Sequence, residues 1–151
     1  MKSLVVGSPV GKLLIRGDEE SIIEVSFAGA ELNHADDCDL LRKCALELEM
    51  YFAGKLKEFT VPLKLVGTDF RKKCWQALRT IPYGETISYK ELAIKVGNPK
   101  ACRAVGGANH HNPIVIIVPC HRVIGTRGGL TGFGGGLDKK QMLLELESKC
   151  K

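Results

Sequence analysis

The sequence predicts an α/β (α+β) protein of two domains, in which a small antiparallel sheet with one helix precedes a mostly helical domain. Short β-rich runs separated by turn signals fill residues 3–29, and helical periodicity dominates the rest. The charge balance also changes sign, because residues 1–69 carry 8 Lys and Arg against 12 Asp and Glu, whereas residues 70–151 carry 14 against 5. We therefore assign residues 1–66 to the first domain and residues 67–151 to the second.

The composition is that of an ordinary globular protein, with 44% hydrophobic and 26% charged residues in a chain of 151. The N-terminus has no apolar run typical of a signal peptide, and no stretch approaches the roughly 20 apolar residues of a membrane span. We therefore expect a cytoplasmic protein without a membrane partner. In that compartment, scattered cysteines are expected to be free thiols. The six cysteines are Cys38, Cys44, Cys74, Cys102, Cys120 and Cys150.

The first domain is predicted to contain a meander and a helix. "SLVVGSPVGKLLIRGDEESIIEVSFAG" has three β-rich runs separated by Ser-Pro and Gly-Asp turn signals, which predicts three antiparallel strands. After Asp37, apolar residues recur at helical spacing, and Gly54 follows where a C-terminal cap belongs. "LKEFTVPLKLVGTDF" then predicts a strand followed by a crossing segment. The apolar residues of the helix are Leu41, Cys44, Ala45, Leu48, Tyr51 and Phe52.

The second domain is predicted to begin with a helix. "DFRKKCWQALRTIPYGET" indicates a helix that starts near Asp69 and is closed by Pro82 and Gly84. Its apolar side is predicted to hold Phe70, Cys74, Ala77 and Leu78.

A helix-turn-helix is predicted from "SYKELAIKVGNPKACRAVGGANHH". Ser88 is expected to cap the first helix, Gly97 to end it, and Asn98-Pro99 to begin the second helix. Within the second helix a buried stripe with spacing i, i+3, i+4 and i+7 turns Arg103 towards solvent. The predicted stripe is Ala101, Ala104, Val105 and Ala108.

Two glycines lie beside Arg103 on the predicted second helix. Gly106 and Gly107 are poor helix formers, but they leave a nearly flat surface that a large partner could approach closely. The alternative is that they end the helix or let another helix pack against it. Together with the basic second half, this surface favours nucleic acid as a partner, and a solvated lysine-rich face is the other explanation of the charge.

The glycine-rich segment "GTRGGLTGFGGGLDKKQ" lacks the GxxxxGK[ST] order of a nucleotide-binding loop. It is interpreted as a flap beside Cys120. "DKKQMLLELESK" then predicts a closing helix capped by Asp138.

The apolar run "IVIIVPCHRVIG" predicts a buried strand that delivers Cys120 and His121 at its end. A cysteine attacks as its thiolate, which is favoured by nearby positive charge, here Arg122, or by a histidine that takes its proton. Successive residues of a strand point to opposite sides, so His121 needs a bend or a bridging water to reach the sulfur. A carboxylate should orient the imidazole, and Glu145 and Glu147 are the candidates.

Zinc is the competing use of Cys and His. The tightest other grouping is His34, Cys38 and Cys44, which lacks a fourth ligand and matches no common finger spacing. We therefore expect no metal.

The motif "PCHRVIG", preceded by "NPIVIIV" and "GNPKACRAVGGAN", resembles the signature of the O6-alkylguanine-DNA alkyltransferases, which remove methyl and larger alkyl groups from guanine in DNA. The resemblance covers residues 70–148, with the motifs in the family's order and spacing. It implies a winged-helix-like second domain that carries the helix-turn-helix and the cysteine. The first domain resembles, in outline, the family's ribonuclease-H-like sheet and helix.

The resemblance implies a role for each matching residue. Cys120 is the alkyl acceptor, His121 is the base that reaches it through water, and Glu147 holds the histidine. Asn112 ties the turn before the cysteine to the helix-turn-helix.

A second group of residues is implied to contact DNA or the target base. Tyr89 crowds the target phosphate and donates to the base, Arg103 fills the gap left in the stack, and Lys140 lies near the cysteine. Phe133 replaces a tyrosine of many relatives, and Gly134 keeps a backbone N–H directed at the guanine oxygen. The remaining contacts implied are Ser88, Ala104, Gly106, Gly107, Arg122 and Val123.

The implied activity is that of a methylated-DNA–protein-cysteine methyltransferase, in which each molecule acts once and consumes no cofactor. Its partner is double-stranded DNA carrying O6-alkylguanine, with O4-methylthymine left open, and the base is flipped out of the helix. A monomer is expected, near the nucleoid in a prokaryote or in the nucleus in a eukaryote. A damage sensor or DNA-binding regulator, and a cysteine hydrolase, are the alternatives.

Overall fold

The computed structural model describes residues 1–125 and 136–151, which divide into two compact units, Met1–Val66 and Gly67–Lys151. A small antiparallel sheet and the helices occur in the predicted order, and the α/β (α+β) class is confirmed. The first unit consists of β1 (Lys2–Val6), β2 (Leu13–Gly17), β3 (Ile22–Phe27) and α1 (Asp39–Phe52).

The three strands form the predicted meander, with antiparallel pairing in the order β1-β2-β3. Leu13 and Ile15 of β2 are fully buried, whereas Leu14 and Arg16 are half-buried, so one face of the sheet forms the core. Helix α1 packs against this sheet. Its buried residues are Leu41, Cys44, Glu47, Leu48 and Tyr51.

Helix α1 ends at the predicted glycine. Gly54 adopts a left-handed φ of 75°, and its amide donates to Tyr51 O at 3.0 Å. The next amide, of Lys55, reaches back to Met50 O at 2.9 Å. This pair of bonds is the Schellman arrangement that satisfies the last carbonyls of a helix.

The prediction of a strand after α1 is wrong, because residues 56–66 make only a single bridge to β3. Pro62 has no N–H to offer to a ladder. The buried Glu47 of α1 accepts the amides of Thr60 at 3.0 Å and Val61 at 3.3 Å. The amides that would start a strand are therefore bonded to a side chain.

The second unit is mostly helical. A short parallel pair, β4 with β5, is its only sheet within residues 67–125 and 136–151. The elements are α2 (Asp69–Leu78), β4 (Ile87–Ser88), α3 (Tyr89–Lys95), α4 (Cys102–His110), a 3-10 turn (Cys120–Arg122), β5 (Val123–Ile124) and α5 (Leu137–Lys149).

The helix-turn-helix is formed by α3 and α4. Ser88 caps α3 as predicted, in a capping box in which its hydroxyl accepts from the Glu91 amide and the Glu91 carboxylate accepts from the Ser88 amide. Gly97 adopts a left-handed φ of 86° directly after the helix, where glycine is favoured.

The second helix of this motif begins later than predicted, at Cys102 instead of Pro99. The Asn98 amide still bonds to Ala93 O of α3 at 3.0 Å, and Ala101 N bonds to Asn98 O at 3.0 Å. Residues 98–101 therefore complete the end of α3 and a turn before α4 can start.

The buried stripe of α4 also differs from the prediction. Val105, Ala108 and Asn109 are buried, whereas Ala104 is exposed. The indole N–H of Trp75 donates to Ala108 O at 2.8 Å, which turns this side of α4 towards α2. The sequence analysis missed Trp75, which α2 buries together with Cys74 and Leu78, while Phe70 and Ala77 are half-buried.

The closing helix α5 begins one residue before the expected cap. Gly136 occupies the N-cap position with a φ of 104°, and Asp138 lies in the first turn instead. All six cysteines are free. Across the described parts of the chain, no helix is long and apolar enough to cross a membrane, and no three His, Cys, Asp or Glu side chains group to hold a metal ion.

Candidate active site

The apolar run before Cys120 forms a turn, and the strand predicted there is wrong. Ile117 N donates to Val115 O at 2.8 Å, and Val118 N donates to Ile114 O at 3.0 Å. Ile116, between them, has a φ of 74°, which is unfavourable for a β-branched residue. Such strain persists only where surrounding contacts hold it in place.

Asn112 supplies contacts that hold this turn. Its Nδ2 donates to Val118 O at 2.7 Å, and its Oδ1 accepts from Ile114 N at 3.0 Å. The same side chain lies close enough to bond the thiol of Cys120. Asn112 therefore fixes the path of the backbone into the cysteine.

Asn109 is a second tie to Cys120, and the sequence analysis missed it. It lies on the buried side of α4, and its Nδ2 donates to Cys120 O at 3.3 Å. Its Oδ1 is buried without a hydrogen-bond partner among the described residues. The available signal was an amide four positions after Val105, where a buried stripe continues.

The 3-10 turn is the bend that the sequence analysis required. It directs His121 into the interior, where the residue is fully buried and Nε2 lies 2.6 Å from Glu147 Oε2. Of the two carboxylates considered, Glu147 reaches the histidine. Glu145 is exposed on α5 and bonds to Gln141.

Glu147 is the centre of a buried polar cluster. Its carboxylate accepts hydrogen bonds from His121, from Arg122 and from the backbone N–H of Gly84 at 3.2 Å. Burial opposes its ionisation, but the hydrogen bonds from His121 and Arg122 and the positive charge of Arg122 outweigh burial and hold the pKa of Glu147 well below its usual range. Gly84, read from the sequence only as a helix stop, is thus part of the site.

Arg122 is not presented to DNA, contrary to the role that the resemblance implied. Its guanidinium is buried and forks onto Glu147, with Nε to Oε1 at 2.8 Å and Nη2 to Oε2 at 3.0 Å. Its Nη1 donates to Ile81 O at 2.7 Å. A charged side chain can be buried here because these partners satisfy it.

The contact with an ionised carboxylate assigns the proton of His121. Because Glu147 can only accept, Nε2 carries the hydrogen and Nδ1 is left as the basic nitrogen. Nδ1 is buried and has no hydrogen-bond partner in the described parts of the chain. Burial lowers the pKa of His121 despite the opposing effect of Glu147, so the imidazole is neutral at pH 7.

The resting thiol of Cys120 is protonated, against the expectation that neighbouring positive charge favours the thiolate. Burial raises its pKa to about 11, more than the Asn112 hydrogen bond and the Lys140 charge lower it. Arg122 does not favour the thiolate, because its charge is neutralised by Glu147. A base must therefore remove the proton during reaction.

Lys140 of α5 lies beside this cluster. It is fully buried, its Nζ donates to Val123 O at 2.6 Å, and Nζ lies 5.9 Å from the centre of the Tyr89 ring. Burial lowers the pKa of Lys140, and a thiolate at Cys120 would oppose that shift. Val123 itself is buried, so its side chain does not form part of an outer binding surface.

The outer face of the helix-turn-helix carries the remaining predicted contacts. Arg103 is exposed as predicted. A Cβ at Gly107 would meet nothing within 4 Å, and one at Gly106 would lie 3.9 Å from the ring of Tyr89. Helix α4 runs through both glycines, so they do not end it; Gly106 faces α3, and Gly107 leaves open surface beside Arg103. Ser88, Tyr89 and Ala104 are at least partly accessible.

Two predicted contacts, Phe133 and Gly134, lie outside the described residues, as does most of the glycine-rich segment interpreted as a flap.

Comparison with known proteins identifies the family. The family model "6-O-methylguanine DNA methyltransferase, DNA binding domain" matches residues 69–149, and its "ribonuclease-like domain" matches residues 1–65. The methylated-DNA–protein-cysteine methyltransferase of Methanosarcina acetivorans is 50% identical over 95% of this chain and 96% of its own, and that of Mycobacterium tuberculosis is 49% identical over 94% and 89%. The crystal structure of Mycobacterium tuberculosis OGT in complex with DNA superposes with a TM-score of 0.91 at 47% identity, over 98% of this chain and 93% of that one. With both domain models and relatives of nearly full length in agreement, the chain belongs to the 6-O-methylguanine DNA methyltransferase family.

Proposed function

We propose that this protein repairs DNA by transferring a methyl or larger alkyl group from O6-alkylguanine to Cys120, once per molecule. The observation that carries the proposal is the buried His121–Glu147 pair next to the cysteine, in which the basic Nδ1 has no hydrogen-bond partner among residues 1–125 and 136–151. Family membership and a relative's complex with DNA support the substrate class. The same site is proposed to accept O4-methylthymine, which presents a similar alkyl ether.

The proposed reaction is one displacement. The Cys120 proton passes to His121 Nδ1, through a bridging water as the resemblance implies, while Glu147 stabilises the imidazolium that forms. The sulfur attacks the alkyl carbon, a C–S bond forms, and the C–O6 bond breaks with its electron pair passing to guanine. Guanine then takes up a proton. Because the thioether is stable, no second turnover follows.

The target base has to leave the duplex before the sulfur can reach it. Extrusion of a nucleotide costs a few kcal/mol. Arg103 is exposed on α4 beside the open surface at Gly107. It is proposed to enter from the minor groove and fill the vacancy in the base stack, with Tyr89 and Ser88 at the target phosphate.

The proposal is tested by mass spectrometry of the intact protein after incubation with duplex DNA containing O6-methylguanine. We expect a gain of one methyl group, mapped to Cys120 by peptide analysis. A damage sensor would bind the duplex with no mass change, and a hydrolase would release product over many turnovers. Either result contradicts the transfer.

Arg103→Ala should slow methyl transfer from duplex DNA by about tenfold or more, since the extruded state loses a contact worth at least ~1.4 kcal/mol. Alkylation of Cys120 by iodoacetamide should be unchanged, because that reagent needs no base flipping. Arg79→Ala is the matched control, because it removes the same charge from the exposed C-cap of α2. Equal transfer rates for the Arg103 and Arg79 variants would contradict the role of Arg103.

Methylation should also destabilise the protein. Cys120 is only 2% exposed, and an added methyl group in a packed site costs about 1–3 kcal/mol. For a chain of this size each kcal/mol corresponds to a fall of roughly 2–4 °C in Tm. Thermal unfolding before and after stoichiometric reaction measures the change. Cys120→Ser taken through the same incubation is the control, and an unaltered Tm after methylation would refute this expectation.

A further inference from the structure

The buried cluster around Glu147 contains more positive charge than holding a histidine requires. Glu147 bonds Nε2 of His121 at 2.6 Å and is also forked by Arg122 through both carboxylate oxygens. All three side chains are buried, with exposures of 0%, 1% and 8% for His121, Glu147 and Arg122. A charge in such surroundings must be balanced locally, because water does not screen it.

We propose that Arg122 is a positioning residue that keeps His121 in its neutral, proton-accepting form, by supplying the positive charge that Glu147 would otherwise draw from the imidazole. This inference rests on the proposed function of His121 as the base for Cys120.

The charge balance of the cluster explains the effect. With Arg122 bound, the carboxylate is neutralised, and a proton on Nδ1 would leave a net buried positive charge. Without Arg122, the carboxylate would be balanced only by an imidazolium, whose Nδ1 already carries a proton and cannot accept one from the thiol. Arg122 thus acts together with burial to keep Nδ1 of His121 available as a base.

The fork also fixes where the carboxylate lies. Arg122 reaches Ile81 O through Nη1 at 2.7 Å, and its guanidinium lies 5.6 Å from the centre of the Tyr83 ring. Both contacts come from the segment after α2, so the guanidinium is anchored independently of Glu147. Arginine suits this task better than lysine, because its planar fork matches both carboxylate oxygens at once.

Other ionisable groups near His121 do not replace this charge. Lys140 is a second cation near the ring, but it lowers the pKa of His121 less than Arg122 does, and its Nζ donates to the Val123 carbonyl. Among the described residues, the charged groups that act on the imidazole are Arg122 of its own turn and Glu147 and Lys140 of α5, and Tyr83 of the segment after α2 faces Glu147 and Arg122.

The test is nitrogen NMR of the four histidine rings, with His121 identified through its substitution. In the wild-type protein we expect a neutral His121 ring with the hydrogen on Nε2 at pH ~7. In Arg122→Met the pKa of His121 should rise by at least about one unit, and methyl transfer at pH ~6 should fall about tenfold, with the deficit shrinking as the pH rises. Arg122→Lys keeps the charge without the fork and should leave the ring neutral.

A double variant separates charge balance from structural damage. Arg122→Met with Glu147→Gln removes both charges, so the His121 ring should return to its neutral form although the cluster is altered twice. The double variant also provides a test of the charge balance if Arg122→Met alone does not fold. An imidazolium in the wild-type protein at pH ~7, an unshifted His121 in folded Arg122→Met, or a protonated ring in the double variant would each overturn the proposal.

The ring measurement does not depend on alkyl transfer. A protein that shows the expected His121 shifts but never gains a methyl group would retain the role of Arg122 and lose the proposed function. If the wild-type protein gains a methyl group but the pKa of His121 does not change in Arg122→Met, the proposed function stands and the role of Arg122 is lost.

Discussion

Replacing Cys120 with serine is expected to abolish methyl transfer while DNA binding persists. The change substitutes one atom inside a buried turn, so the fold around it and the outer face of α4 should remain. A serine hydroxyl is far less acidic than a thiol and a poorer nucleophile towards saturated carbon. Loss of an enzyme nucleophile costs at least about 10³-fold in rate, which in a single-turnover reaction means no methyl gain on the time scale of the assay.

Intact-protein mass spectrometry and a gel-shift assay on the same O6-methylguanine duplex measure the two effects together. Cys150→Ser is the matched control, since it makes the same atomic change at the C-cap of α5. It should gain one methyl group at the wild-type rate. Transfer by Cys120→Ser, or a methyl group mapped to another cysteine, would end the assignment of the acceptor.

The sequence predicts well those elements whose signals are local. The meander follows from turn residues between β-rich runs, α1 ends at Gly54 because only a left-handed residue completes its last bonds, and Ser88 caps α3 through its own side chain. The two helix ends depend on residues within about five positions of one another, and the meander depends on the short turns that join its strands. Local physics is enough to place them.

The errors arise where a side chain outside a segment decides the structure of that segment. Residues 114–118 are apolar enough for a strand, but the Asn112 side chain closes them into a turn. Residues 56–66 lose their ladder because Glu47 takes their amides. Burial of Arg122 depends on Glu147, 25 residues further along the chain. A charged residue in a basic segment is normally exposed, so nothing local marks this one.

The candidate site shows the same division. The motif around Cys120 was sufficient to single out the cysteine and the histidine, and helical spacing supplied two candidate carboxylates. Choosing Glu147 over Glu145 from the residues alone was impossible, because both lie on the same helix and only packing shows which faces inward. Asn109 was missed, although an amide on the buried side of a helix requires a partner and thereby signals a contact.

Replacing Glu147 with glutamine is expected to cost about 3–5 kcal/mol of the free energy of unfolding, the usual result of removing one partner of a buried ion pair. Among the described residues, Arg122 would keep its charge in the interior with the Ile81 carbonyl, the Tyr83 ring and the amide oxygen as partners. Nε2 of His121 would lose the acceptor that fixes its hydrogen, so methyl transfer should fall as well. Glu145→Gln makes the same change on the exposed side of α5 and should alter stability by less than about 0.5 kcal/mol.

The pH dependence of the difference in free energy of unfolding between the wild type and Glu147→Gln identifies its cause. The folded pKa of Glu147 is depressed, so its contribution to stability is present above the unfolded value of about 4.3 and is lost as the pH falls through and below it. The folded pKa of His121 is also depressed, so protonation favours the unfolded chain below about pH 6.5 in wild type and variant alike. Urea unfolding between pH ~3 and ~8 should therefore show both proteins losing stability in acid, with the gap between them narrowing below about pH 4. A gap that stays constant across this range would mean that glutamine disturbs packing and that the charge of Glu147 does not stabilise the fold.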